Sequence, residues 1–310
     1  MKRNKRKKMW IVIVCAAAAL LLIAVAALGF HIASTAMAGR RQTLEEARNW
    51  QERYYDISWY DPLEKEDYTV TGGDGYVLHA QLLKSPEAAT GLVIISHGYT
   101  DNRFGALKYA RTYLERGFNV VIYDLRGHGL NEPAPCTYTA LERNDLLAVI
   151  RDALERFPEA SFLGLHGESL GAATSIAVLE DKPPVDFVVA DCAFSEIAPV
   201  IAGVVEKNGL PAFLADVASV CSKICCGYSY RQMRPIESLK DNTVPILFIH
   251  GEKDDFIPPE HSRQLKEATA GPAELHLIPG APHAMSAIWA PEVYRQYVAG
   301  FLAEQFPERQ

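Results

Sequence analysis

Gly167-Glu168-Ser169-Leu170-Gly171 constrains this chain more than any other stretch. The apolar run in front of it, Ser161-Phe162-Leu163-Gly164-Leu165-His166, reads as a short buried strand. The run behind it, Ala172-Ala173-Thr174-Ser175-Ile176-Ala177-Val178-Leu179, reads as a helix. A serine between two glycines at a strand-to-helix turn is the pattern of a nucleophile elbow. The turn is so tight that the serine is held in a strained conformation, and side chains at Gly167 and Gly171 would collide with neighbouring chain. The hydroxyl then stands clear of the sheet, at a helix N-terminus whose amides and dipole favour a developing oxyanion.

An alkyl hydroxyl is a poor nucleophile at neutral pH. It needs a base within hydrogen-bond reach, and a third group that fixes the base's tautomer and stabilises its positive charge. With this elbow the chain order is Ser, then Asp or Glu, then His. After Ser169, the strand-like run Val244-Pro245-Ile246-Leu247-Phe248-Ile249-His250-Gly251 leads into Glu252, Asp254 and Asp255. A second run, Glu274-Leu275-His276-Leu277-Ile278-Pro279, leads into His283. Of the nine histidines, only His283 follows both the acid and the last strand. His97, His128, His166 and His250 also stand before glycines at strand ends or turns, so turn context alone does not select the base. Asp254 stands three residues after Gly251 and four before Pro258 and is the expected acid. Asp255 is the runner-up, and Glu252 also competes. Two amide donors are needed for the oxyanion: that of Leu170, after the nucleophile, and that of Tyr99, in the His97-Gly98-Tyr99 loop after the strand Leu92-Val93-Ile94-Ile95-Ser96.

With these residues in place the chain resembles the α/β-hydrolase superfamily over about residues 66 to 306. It is most similar to bacterial hydrolases of the serine aminopeptidase and monoglyceride lipase type, some of which carry an N-terminal membrane anchor. The resemblance rests on Gly73-Asp74-Gly75-Tyr76-Val77-Leu78, His97-Gly98-Tyr99, Tyr123-Asp124-Leu125-Arg126-Gly127-His128-Gly129, the elbow, Asp254 and His283. It implies a serine hydrolase, and it makes the Asp124–His128 loop architectural. These motifs do not specify the substrate.

The formal charge is −7, but six positive charges stand in the first eight residues ahead of any acid, which leaves −13 on the rest. That balance excludes nucleic acid as a partner of the globular part. Residues 9–32 follow as an uncharged apolar run, long enough to span a bilayer as a helix. The basic cluster before it is expected to stay in the cytoplasm, with the catalytic domain outside. The alternative is a signal peptide cleaved near Ala38 after Ala36-Met37-Ala38, against which the length of the run argues. The expected organisation is a basic tail over 1–8, a signal-anchor over 9–32, a polar stalk over 33–65 and a hydrolase domain over 66–310.

Strand-like runs near 68–71, 76–83, 92–96, 119–123, 162–166, 186–190, 245–250 and 274–279 alternate with helical patterns near 106–116, 139–157, 171–180, 260–269 and 291–305. The alternation predicts an α/β fold: a mostly parallel sheet, helices on both faces and an antiparallel hairpin at the start. Between 194 and 240 there is only helical spacing broken by Gly209, Pro211 and Gly227, the expected lid. Phe194, Phe213 and Leu214 are its candidate substrate contacts. Of the six cysteines, Cys15 lies in the apolar run, none shows zinc spacing, and Cys225-Cys226, close after Cys221, read as small buried side chains in preference to a redox or disulfide feature. No phosphate-cradling loop is evident, so no cofactor or metal is expected. The leading reading is hydrolysis of a small-molecule or lipid-like ester. An amidase or peptidase with the same triad, or a non-catalytic binding protein on the same fold, are the rivals.

Overall fold

Eight runs become eight strands, and those in the middle of the sheet alternate their side chains between two cores, whereas β1 at the edge is mostly exposed. They are β1 (Lys65–Thr71), β2 (Val77–Leu83), β3 (Gly91–Ser96), β4 (Phe118–Tyr123), β5 (Leu163–Glu168), β6 (Phe187–Asp191), β7 (Ile246–Gly251) and β8 (Ala273–Ile278). In β3, Leu92 and Ile94 enter one core while Val93 and Ile95 enter the other. The computed structural model describes residues 2–87, 89 and 91–309. Met1, Ala88, Thr90 and Gln310, which fall within the expected tail and domain, lie outside the described residues.

The sheet order is β1-β2-β4-β3-β5-β6-β7-β8. β1/β2 and β2/β4 are antiparallel, and every later pairing is parallel. The order turns back on itself at β3, which lies between β4 and β5. Open α/β sheets bind ligands beyond the carboxyl ends of strands at such a switch point. Here the loop after β3 carries Tyr99, and the turn after β5 carries Ser169.

The helices are α1 (Lys2–Ala38), α2 (Leu44–Tyr54), α3 (Leu107–Leu114), α4 (Glu142–Arg156), α5 (Leu170–Ala177), α6 (Ile197–Lys207), α7 (Phe213–Cys226), α8 (Glu260–Ala268), α9 (Ser286–Trp289) and α10 (Pro291–Gln305). One core holds Leu146 and Val149 of α4, Ala173 and Ile176 of α5, and Leu265 of α8. The other holds Tyr109 and Tyr113 of α3 and Tyr294, Val298 and Phe301 of α10. The expected lid is α6 and α7, inserted between β6 and β7. Gly209 (φ 73°) separates them, and Gly227 (φ 82°) ends α7 in the left-handed region that glycine tolerates.

The expected stalk is corrected by the structure. Residues 33–65 are not a free polar spacer: Ala33, Met37, Ala47, Ile57 and Tyr60 are buried. Arg41 donates to the carbonyls of Met37 (2.8 Å), Gly127 (2.6 Å) and Ala134 (3.2 Å). α1 is one helix from the basic cluster to Ala38 and is long and apolar enough to cross a membrane. Its burial begins at Val25 and recurs at Gly29, Ala33 and Met37, a four-residue step that puts one face against the body.

The Asp124–His128 loop is tied into the scaffold. Arg126 pairs with Asp145 (2.6 Å) and Asp74 (2.9 Å), while Asp124 accepts the amides of Arg103 (2.8 Å) and Leu130 (3.0 Å). All six cysteines are unpaired. Cys136, Cys192 and Cys221 are buried and Cys226 is partly so, whereas Cys225, expected to be buried, is exposed.

Candidate active site

Ser169 has φ 51° and ψ −111°, a conformation that a non-glycine residue adopts only under strain. The surroundings explain why its neighbours lack side chains. A Cβ on Gly167 would lie 2.4 Å from the Ala172 nitrogen, and one on Gly171 would lie 2.1 Å from the Ser96 carbonyl oxygen. Both contacts are with backbone that has no room to yield. The turn is also held by the Ser169 amide, which donates to the Asp191 carbonyl at 2.8 Å.

The structure brings the three expected side chains together from the ends of three strands. His283 Nε2 stands 3.0 Å from Ser169 Oγ, and His283 Nδ1 stands 2.6 Å from Asp254 Oδ2. With its proton on Nδ1, the imidazole donates to the carboxylate and offers a lone pair to the hydroxyl. The other carboxylate oxygen, Oδ1, accepts the amides of Phe256 (3.0 Å) and Ile257 (2.9 Å). His250, which sequence reasoning treated only as a strand-end residue, adds a contact from Nε2 to Asp254 Oδ2 at 3.1 Å. Burial pushes the Asp254 carboxyl up, but the hydrogen bonds from His250 and His283 outweigh it and hold the group well below the usual carboxylate range. Asp255 points outward and pairs with Lys207 at 3.3 Å.

Leu170 follows Ser169 in the chain and Tyr99 lines both recesses beside it, and among the described residues neither backbone amide donates to another group. The Tyr99 hydroxyl is committed elsewhere: it donates to the Ala36 carbonyl (2.8 Å) and accepts the Gly39 amide (3.1 Å). That ties the loop after β3 to the end of α1.

Two recesses meet at Ser169. One is an apolar cavity of about 410 Å³, walled by Phe194 and by Ile197, Val200 and Ile201 of α6. Its opposite wall is α1, through Leu28, His31, Ile32, Thr35 and Ala36. Of the three candidate lid contacts, only Phe194 reaches it. Phe213 is on the outer surface and 54% exposed, and Leu214 is buried in the same core as α4 and α5. Helix phase decides this: α6 turns its apolar side to the cavity, and α7 packs behind it.

The second recess, about 350 Å³, carries more polar and charged side chains than the first and includes Trp50, Asp101, Lys108, Glu168 and His283. Lys108 and Glu168 form a buried ion pair. Tyr109 donates to Glu168 (2.6 Å) and Asp191 (2.9 Å), and Lys108 reaches the Ala284 carbonyl at 3.2 Å, next to His283. Burial works against the Lys108 charge, but Glu168 and Asp101 hold its pKa above the usual value. Burial pushes Asp101 up to about 6, with Lys108 opposing it. None of these roles was visible in the sequence, because Lys108 and Glu168 are sixty residues apart. Cys192, Asp254 and His283 offer atoms within 4.8 Å of one another. A metal there would have to break the Asp254–His283 hydrogen bond and ionise a thiol that burial pushes well up.

The sequence signature of the serine aminopeptidase family S33 matches residues 87–238. A Bacillus subtilis protein, YqkD, is 30% identical over 285 residues, covering 90% of this chain and 93% of that one. Among solved structures, the Pyrococcus furiosus esterase Pf2001 is similar with a TM-score of 0.65 and 25% identity, over 78% of this chain and 92% of that one. Est1E from Butyrivibrio proteoclasticus, solved with ferulic acid bound, shares the fold with a TM-score of 0.60 and 20% identity, over 77% of this chain and all (100%) of that one.

Proposed function

This chain belongs to the α/β-hydrolases, in the serine aminopeptidase family S33, and from that premise we propose that it cleaves carboxylic esters through an acyl-enzyme on Ser169. The observation that carries the reading is the relay from Ser169 Oγ to His283 Nε2 (3.0 Å) and from His283 Nδ1 to Asp254 (2.6 Å). Ser169 attacks the ester carbonyl as its proton passes to His283 Nε2. Asp254 stabilises the imidazolium, and the Tyr99 and Leu170 amides hold the oxyanion. The carbon–oxygen bond then breaks, and the alcohol leaves with the proton from His283. Water, activated by the same imidazole, attacks the acyl-enzyme and frees the acid.

The recesses support an ester over an amino-terminal peptide. An aminopeptidase must hold a substrate ammonium with a free carboxylate beside the nucleophile. Glu168 is already paired with Lys108 and hydrogen-bonded by Tyr109. Asp101, the other acid of that recess, is likewise engaged: it accepts the Asn102 amide at 2.8 Å and faces the Lys108 ammonium. The apolar cavity suits an acyl chain and falls in the usual size range of small-molecule pockets.

The same reading keeps α1 as an uncleaved, single-pass anchor with the domain outside the cytoplasmic membrane. The basic cluster ahead of the apolar run supports that orientation. Cleavage after Ala38 would strip Ala33 and Met37 from the core and remove one cavity wall. It would also free the Tyr99 and Tyr138 hydroxyls, which both donate to the Ala36 carbonyl.

A panel of p-nitrophenyl esters of increasing chain length, run beside aminoacyl p-nitroanilides, tests the reading. Ester turnover that disappears in Ser169→Ala is expected. Faster turnover of the aminoacyl amides would assign a peptidase instead, and binding without turnover of either would assign a non-catalytic protein.

A further inference from the structure

α1 presents two faces. Gly29, Ala33 and Met37 pack against the body, with Gly29 seated on Val217 of α7: a Cβ there would lie 2.5 Å from the Val217 Cγ1 atom. Leu28, His31, Ile32, Thr35 and Ala36 recur at three- and four-residue steps on the neighbouring face and line the apolar cavity. The membrane segment and the wall of the site are therefore one helix.

Length fixes where they meet. The uncharged run begins at Met9. A hydrocarbon core about 30 Å thick takes about 20 helical residues at 1.5 Å each, so the helix leaves it near residue 29. That is the level of the Gly29–Val217 contact. Higher up, Met37 meets Cys226 at 4.0 Å, so α7 runs parallel to α1 and its first residue, Phe213, lies about a turn below Val217. Phe213, Val217, Val220 and Ile224 form one apolar stripe of α7. Val217 is covered by α1, whereas Phe213, Val220 and Ile224 are 54%, 60% and 69% exposed. Asp216, paired with Arg231 at 2.7 Å, and Lys223 give the stripe a charged border. An apolar stripe with such a border, which starts about a turn below the exit of a spanning helix and rises about 10 Å above it, suits the headgroup layer and its boundary with the acyl chains.

The cavity points the same way. Its Ala36 end is tied to Tyr99 and so to the loop beside Ser169. Its Leu28 end lies eight residues down the helix, about 12 Å toward the membrane, and Leu210 of the α6–α7 turn also lines it.

We infer that the outer turns of α1 and the exposed stripe of α7 form a portal seated on the bilayer, through which the acyl chain of a membrane-resident ester enters the cavity directly from the lipid. This rests on the ester reading and on an uncleaved α1. The second recess, with Asp101, Lys108 and Glu168 in its wall, then receives the headgroup.

The test uses the full chain in phosphatidylcholine vesicles. In Phe213→Trp, the emission added over the wild-type background is expected to be quenched by lipids brominated on their acyl chains. In F213E/V220E/I224E, turnover of a long-chain monoacyl ester held in the vesicles is expected to fall at least about tenfold. Turnover of a soluble short-chain ester is expected to stay at the wild-type rate, which also reports an intact fold. Unquenched Trp emission at position 213, or vesicle turnover unchanged by the three glutamates, overturns the portal. Absence of all ester turnover in the wild type overturns the ester reading alone, because bromolipid quenching reads the docking without catalysis.

Discussion

Asp254→Asn is the most informative substitution at this site, because the structure dictates what the amide must do. Asp254 Oδ1 accepts two main-chain amides, from Phe256 and Ile257, and Oδ2 faces His283 and His250. If the amide oxygen takes the Oδ1 place, the NH2 group turns on His283 Nδ1. That nitrogen must then accept, its proton moves to Nε2, and the imidazole faces Ser169 as a donor and not as a base. If the amide flips, the NH2 group meets two amide donors and leaves both unpaired, at about 1–3 kcal/mol each. The productive orientation is thus about 2–6 kcal/mol uphill, and even there the charge that stabilises the imidazolium is gone. Together these place the loss of kcat at about 10⁴-fold, or about 5 kcal/mol of barrier. Asp255→Asn, on an exposed side chain paired only with Lys207, is expected to stay within about threefold of wild type. The assay is kcat and kcat/KM on a soluble short-chain ester, with circular dichroism melts to show that both variants are folded. A folded Asp254→Asn variant within tenfold of wild type, or an Asp255→Asn variant that loses more, would refute the reasoning.

Three further outcomes follow from the same contacts. Ile32→Trp, which fills the cavity from the α1 side, is expected to lower kcat/KM for long-chain esters at least about tenfold relative to the acetyl ester, since apolar pockets discriminate by about 1–3 kcal/mol per methylene-sized change; an unchanged chain-length profile contradicts it. Lys108→Met leaves Glu168 buried without its cation and is expected to cost about 3–5 kcal/mol in chemical denaturation, part of which Glu168→Gln in the same chain restores; a double variant no more stable than the single one argues against the pair. Burial pushes Asp191 up to about 6, whereas in the unfolded chain it titrates near 3.9. The folded state binds the extra proton between these values, so stability falls as pH rises from about 4 through about 6, and Asp191→Asn should flatten the decline in melting temperature between pH 5 and 7.5; a slope unaltered by that substitution would show that another group sets it.

The sheet was legible because a doubly buried strand has little choice of residue. Runs such as Leu92-Val93-Ile94-Ile95 and Phe187-Val188-Val189-Ala190 are continuous and apolar, and each expected run falls on an observed strand. The elbow was legible because the backbone contacts at Gly167 and Gly171 leave no alternative to glycine. Asp254 and His283 were reachable because each lies in the turn after a strand, where chain order carries the signal. Other features depend on distant partners and left no local trace. Lys108, Glu168 and Asp191 come from three elements, and only the folded sheet joins them. Phe213 and Leu214 sat in a helical pattern whose phase the sequence did not reveal, and neither faces the cavity. The largest departure is α1. An apolar run reads as a span by composition alone, but the small residues Gly29 and Ala33, four apart with Met37 four beyond, were the available sign of a packed face.

The central claim is that Ser169 is the nucleophile of this chain. The most direct measurement is peptide mapping after the purified full chain has reacted with a fluorophosphonate, a reagent that needs an activated serine but little of the substrate pocket. The relay of 3.0 and 2.6 Å from Ser169 through His283 to Asp254 predicts one phosphonylated peptide, modified at Ser169, and an unlabelled Ser169→Ala chain. A folded wild-type chain that stays unmodified, or carries the adduct on another serine, would contradict the account.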